Sequence, residues 1–307
     1  KWEDAVNSFR VDFDCDIYIT GSNAKLLSGE LATYLAGRYV EFTVYPLSFE
    51  EYLEGMGKSS VGSDIRNEFL RFIIYGGMPF LINMGDEKEP AMQYLRDIYN
   101  SVVLKDIVSR NNIRDVDLLE RIIQYIFANT GQTFSARSIF NYFKNEGRKV
   151  STETILNYLK ACHEAYLIYK LRREDVIGKK VLSVNEKYYV VDHGIMEAIY
   201  GNNERDINQV LKNIVCIELL RRGYKLTVGR ADKKEIDLIA RKGNDIKYFQ
   251  IAYLFASEDV VQREFGAFDN IKDNYPKYVL TMDELNMSRN GIIHMNICDF
   301  LLTDEWD

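Results

Sequence analysis

Residues 235–253, EIDLIARKGNDIKYFQIAY, carry side chains that metal-dependent phosphodiester cleavage needs, with one absent. That chemistry uses carboxylates to hold Mg2+ and a base or charge-stabilising lysine beside the attacking water. Asp237 falls on one expected strand and Gln250 on the next, and Glu218 on the preceding helical segment could add a third ligand. Alternate residues of a strand share a face, so Gln250 and Ala252 point one way, and Lys247 and Ile251 the other. Lys247 therefore cannot serve the face that Gln250 and Ala252 share. A plain charged hairpin beside a buried strand would have the same composition.

A second group sits at residues 20–23, TGSN, after a short expected strand. Ligands collect at the carboxyl ends of parallel strands in open α/β sheets, so Ser22 and Asn23 could position a water or a γ-phosphate. Arg38 could reach a phosphate as an arginine finger. A simple turn and a solvated arginine are the alternatives. Gly57-Lys58-Ser59 resembles the tail of a phosphate-binding loop, but the required glycine six residues before the lysine is Tyr52, and the preceding segment reads as a helix.

The elements that must position these groups follow from periodicity and punctuation. Residues 16–23 and 39–45 have strand character around a helix at Ala24–Leu35. Ser48 can cap the helix that follows, and residues 67–75 and 90–109 are helical around the turn YGGMP. Helices over 118–129, 136–147 and 152–166, the last two capped by Ser135 and Ser151, precede two strands around Gly178. Three helices and a β-hairpin form the winged-helix order. Its recognition helix would be Ser151–His163, with Asn157 and Lys160 facing out, Lys144, Arg148 and Lys149 before it, and Lys179 and Lys180 at the wing tip. Such residues suit phosphate contacts, and the same unit also serves as a protein-docking module. The last part reads α-β-β-β-α-β: a helix over 207–222, strands over 224–228, 235–240 and 246–254, a helix over 259–274 and a strand over 277–281.

Composition sets limits. At 307 residues the chain is long enough for more than one domain, and 47% apolar with 28% charged residues is ordinary for a globular protein. No apolar run approaches a membrane span, and the first ten residues lack a signal-peptide core. Cys15, Cys162, Cys216 and Cys298 are scattered without a CxxC pair, which fits buried thiols in a reducing, cytoplasmic setting and no structural zinc. Residues 118–190 hold 12 Lys and Arg against 7 Asp and Glu in a chain of net charge −7. That basic segment points to a polyanion partner.

Two resemblances join these pieces. The hairpin at 235–253 resembles the metal site of a PD-(D/E)XK nuclease, with Ala252 where that resemblance implies a catalytic lysine. TGSNAKLLSGELATYLAGRYVEFTVYPLSFEEYL (20–53), YGGMPFLI, YLRDIYNSVVLKDIVSRNNIRD, NYLKACHEAYLIYKL, YYVVDHGIMEAI and REFGAFDNIKDNYPKYVLT resemble a large prokaryotic AAA+-type ATPase family. That resemblance implies an α/β multi-domain chain. It would comprise a truncated AAA+ core at 1–58, a helical lid at 59–115, a winged helix at 116–190 and a restriction-endonuclease-like domain at 191–307. Ser22 or Asn23 would be the sensor-1 position and Arg38 a phosphate-facing or intersubunit arginine. ATP and Mg2+ would bind the intact protein, on Walker motifs upstream of Lys1, and no cofactor is expected on this chain alone. DNA, a protein partner and homo-oligomers are the implied partners, with no membrane. A non-catalytic winged-helix DNA-binding or scaffold module, and a Mg2+-dependent nuclease using Glu218, Asp237 and Gln250, are the alternatives.

Overall fold

The computed structural model describes residues 2–22, 39–58, 62, 64–85, 87–178, 180–201, 203–232 and 234–303. After helix α1 (Trp2–Asp12) come short helices that pack on one another: α2 (Phe49–Gly55), α3 (Ile65–Tyr75), a 3-10 turn (Pro79–Asn83) and α4 (Lys88–Ser101). Ser48 caps α2 with a full capping box, its hydroxyl accepting from Glu51 N at 3.1 Å and its own N–H donating to the Glu51 carboxylate at 2.8 Å. Phe49, Tyr52, Phe69 and Phe72 then form one buried ring cluster. Helix α4 continues into an eight-residue π-helix, Val102–Ser109, a rare geometry that concentrates at functional sites.

The middle of the chain runs α5 (Val116–Ala128), β1 (Thr133–Phe134), α6 (Ala136–Asn145), α7 (Thr152–Glu164), β2 (Ile168–Asp175) and β3 (Lys180–Val190). Ser135 and Ser151 cap α6 and α7 as their positions predict. The rest is α8 (His193–Tyr200), α9 (Ile207–Arg221), β4 (Lys225–Ala231), β5 (Lys234–Lys242), β6 (Asp245–Ile251), α10 (Glu258–Gly266), β7 (Lys277–Thr281), β8 (Ile292–Asn296) and α11 (Ile297–Leu302). The eight strands among the described residues form one mixed sheet in the order β1-β3-β2-β4-β5-β6-β7-β8. The β2–β4, β6–β7 and β7–β8 pairs are parallel. The sheet therefore runs straight across the division expected at 190/191. Helix α9 lies over β3 to β6 on one face, and α10 with Phe265 and Val261 closes a second core around Ile236, Ile239 and Val279 on the other.

Helix α8, unassigned in the sequence, locks the N-terminal helices to the rest. Asp192 caps it by accepting from Ile195 N at 3.1 Å, and its other oxygen accepts from Gly77 N at 2.7 Å in the YGGMP turn. Asn203 donates to the Ile73 and His193 carbonyls, and His193 Nε2 donates to the Phe72 carbonyl at 2.6 Å. Carbonyls in the last turn of α3 are thus taken up by His193 at the start of α8 and by Asn203 just beyond its end. The approach is close: a Cβ on Gly194 would sit 2.0 Å from the Tyr75 carbonyl oxygen, and one on Gly77 2.3 Å from that of Leu47.

Several expectations are corrected. The described parts of the two N-terminal strand segments, 16–22 and 39–45, join no sheet, and Tyr18, Phe42 and Val44 are more than 80% exposed. Strand propensity needs a neighbouring ladder, and no described strand flanks them. The helix expected over 24–35 lies outside the described residues. Helix α10 ends at Gly266 rather than at 274, and β8 and α11 add elements after the expected last strand.

Two outcomes follow for stability. Gly194→Ala and Asp192→Ala should each lower the urea midpoint sharply. The latter strands two buried N–H groups, at roughly 1–3 kcal/mol apiece. Burial holds the His193 imidazole below its usual value, against opposing pulls from Asp192 and the Phe72 carbonyl, and burial lowers His294 likewise. A histidine with a lower pKa folded than unfolded takes up its proton on unfolding, so stability is full above about pH 6.5 and falls below it. Urea midpoints should drop on acidification to about pH 5.5, with a shallower slope in His193→Gln.

Candidate functional site

Asp237 is brought to the centre of the sheet by a bulge. The β4–β5 register steps from Thr227↔Ile239 to Gly229↔Ile236, so Val228 faces both Asp237 and Leu238. Bulges re-aim side chains in this way. Gln250 on β6 lies beside it, and its Oε1 accepts from Asp237 N at 3.0 Å. One Asp237 oxygen accepts from Ile251 N at 3.1 Å. The other meets two ammonium groups, Lys212 from α9 at 2.6 Å and Lys187 from β3 at 3.2 Å. Lys187 also reaches Glu235 at 2.8 Å, and Glu235 takes Arg173 at 3.4 Å and the Thr133 hydroxyl at 2.9 Å.

Asp237 and Lys187 are both buried. Burial alone would raise the Asp237 carboxyl, but the Lys212 and Lys187 charges outweigh it and hold the group below its ordinary value. Burial would likewise lower Lys187, and Asp237 and Glu235 overcome it. The centre is a desolvated ionic cluster in which ammonium groups occupy the carboxylate.

Glu218 belongs elsewhere. It pairs with Arg221 at 2.8 Å and with Arg222, whose guanidinium also donates to the Thr303 carbonyl at 2.7 Å. Glu218 lies six residues beyond Lys212 on α9, an angular separation of about 120° around a helix, so the two project from different faces. Asp237 and Gln250 are brought together, and Glu218 is not. Among the described residues no group of three His, Cys, Asp or Glu could hold a metal ion. Ala252 is buried after β6, and Lys247 pairs with Asp245 at 3.0 Å, away from Asp237. The lysines that sequence reasoning missed are Lys187 and Lys212. The signal for Lys212 was a single lysine within INQVLKNIVCIELL, a helix buried on most of its surface.

At the N-terminal end, the Ser22 hydroxyl donates to Asp106 Oδ2 at 2.9 Å, and Arg110 donates to the other oxygen at 3.0 Å. Asp106 sits buried in the π-helix. Ser22, the sensor-1 candidate, is thus engaged within the chain by Asp106. Asn23, Arg38 and Lys179 lie outside the described residues. Of the basic candidates, Arg148 pairs with Asp117 at 2.6 Å and Lys160 lies 3.8 Å from Glu164, whereas Lys144, Lys149 and Asn157 are exposed and Lys180 opens β3. Part of the positive charge of 118–190, Arg173 and Lys187, lies inside the ionic cluster rather than on a surface.

Residues 1–53 match the AAA domain and residues 66–206 match Domain of unknown function (DUF8612). The chain is thus an AAA-type protein with a C-terminal domain of unknown function. An uncharacterized protein of Haemophilus influenzae is 40% identical over 304 residues, covering 98% of this chain and 74% of its own length, and the chain belongs to the same family as that protein. An uncharacterized protein of Methanocaldococcus jannaschii is 29% identical over 302 residues, 94% of this chain and 65% of that one. No solved structure matches the chain. No helix among the described residues is long and apolar enough to cross a membrane.

The ionic cluster makes a direct test. Asp237→Ala leaves Lys187 buried beside an empty place and is expected to cost about 3–5 kcal/mol, whereas adding Lys187→Met to it should recover much of the loss in urea unfolding.

Proposed function

We propose that this chain is the relaying and engaging part of an AAA-type ATPase, whose intact form couples ATP hydrolysis to the engagement of DNA or a protein. The observation that carries the proposal is the lock around Asp192. It ties the YGGMP turn and α3 to α8, and α8 leads within a few residues into α9, the helix laid across the sheet. A displacement of the N-terminal helices would therefore be passed through α8 and α9 to the sheet.

Within that proposal, residues 116–190 are a winged helix and 191–303 a nuclease-derived domain without cleavage. The α-β-α-α-β-β order with β1 and β2 flanking β3 supports the first. Asp237 and Gln250 on adjacent strands, with Ala252 two residues on, support the second. The wing is built into the larger sheet: Arg173–Asp175 pair with Val228–Arg230, and Val176 N donates to the Arg230 carbonyl. A wing held this way favours protein engagement over insertion into a DNA groove.

The purified chain should not turn over ATP, and turnover that disappears in Arg38→Ala would overturn this. It should also leave plasmid DNA intact with Mg2+, and cutting lost in Asp237→Asn would count against the inactive-domain assignment. A second function, DNA binding, is favoured by the exposed Lys144, Lys149, Asn157 and Lys160 on α6, α7 and the turn between them. A gel shift that weakens steeply with salt and in Lys149→Ala and Lys160→Ala would establish it. Salt-insensitive capture of a protein partner favours the scaffold.

A further inference from the structure

A cavity of about 340 Å3 lies between the N-terminal segments 19–22 and 41–44 and the body of the protein. That volume falls within the range of small-molecule sites. Its walls include four aromatic rings, Phe42, Tyr99, Tyr166 and Tyr169, and the ring of Tyr45 backs Tyr169 at 6.0 Å. Glu41 is the one charged residue among its described lining, which holds no lysine, arginine or histidine. Such a wall repels phosphate and carboxylate groups. Aromatic faces carry negative quadrupole density, and a carboxylate adds to it, so the lining favours a cation.

Tyr166 supplies an independent observation. It follows α7 with φ +54°, a conformation that a bulky side chain adopts only at a cost. The backbone there is a Schellman turn: Leu167 N donates to the Cys162 carbonyl at 3.0 Å and Tyr166 N to that of His163 at 3.1 Å. That position ordinarily holds glycine, because no Cβ penalty arises. A tyrosine placed there against its backbone preference puts a ring into the cavity wall. Its hydroxyl is pushed up by burial and by the nearby Glu41.

We propose that this cavity binds a small organic cation of the quaternary-ammonium class, held by the Tyr166, Tyr169, Tyr99 and Phe42 rings with Glu41 as counter-charge. The site is separate from the ionic cluster at Asp237 and takes a ligand of opposite sign to a nucleotide. Because the cavity joins segment 19–22 to the turn after α7, occupancy would clamp that segment onto the middle of the chain.

The test is isothermal titration of the whole chain with choline and with its uncharged tert-butyl analogue. Choline should bind about 2- to 5-fold more tightly than the analogue, the margin that cation–π contacts at a partly open site provide. Glu41→Gln, an exposed substitution, should weaken choline several-fold and leave the analogue unchanged. Tyr166→Gly should be at least as stable to urea as the parent, because it relieves the positive φ, yet lose choline binding. Equal affinities for the two probes, or binding of neither, overturn the proposal. A Tyr166→Gly chain that unfolds earlier than the parent overturns the assignment of that ring to a ligand.

Discussion

The contact on which the remainder depends is a single carboxylate, Asp192, shared between two backbone N–H groups from distant parts of the chain. Every polar backbone group removed from water must find a partner, and here the end of α3 and the start of α8 solve that requirement for each other. Asp192 caps its own helix and reaches the YGGMP turn, and His193 and Asn203 take up carbonyls of α3. Two glycines bring the backbones into contact. The motifs YGGMP and DHG, more than a hundred residues apart, are two halves of one joint.

At the Asp237 centre, ammonium groups neutralise a buried carboxylate. A metal ion offers a concentrated charge, whereas an ammonium offers one charge and three fixed donors. Two lysines from different elements fill the carboxylate, and a third cation, Arg173, holds its neighbour Glu235. Buried pairs of this kind contribute little net stability, because desolvation offsets the attraction. Their effect is positional: they fix β3, β5 and α9 in one relative arrangement. Asn213 adds to this by bonding both the N–H and the carbonyl of Val190 at the end of β3.

Local chemistry was legible in the sequence where it decides structure. The serines at 48, 135 and 151 cap helices as their types dictate, and the strand at 277–281 is where its apolar run places it. The adjacency of Asp237 and Gln250 also follows from strand alternation. Features set by tertiary context were not legible. Residues 39–45 alternate like a strand, yet alternation cannot supply a neighbour to pair with. Helix α8 is short and almost uniformly apolar, so no stripe marks it, and its Asp192 cap becomes visible only with Gly77 beside it. Lys212 and Glu218 sit on one helix, and which of them meets Asp237 depends on how that helix rolls against the sheet.

The parallel seam between β2 and β4 has a consequence for how the chain is made. Its two strands are separated by α8, α9 and β3, so the seam forms only after residues 225–231 have left the ribosome. Until then the outer half of β2 presents open hydrogen-bonding groups along an unpaired edge, the kind of template on which chains associate wrongly. Long-range pairing of this sort is also slow to form. The basic and acidic side chains along that edge, Arg172 to Asp175, then act as a gatekeeper run during synthesis, keeping nascent chains apart until the second half of the sheet arrives.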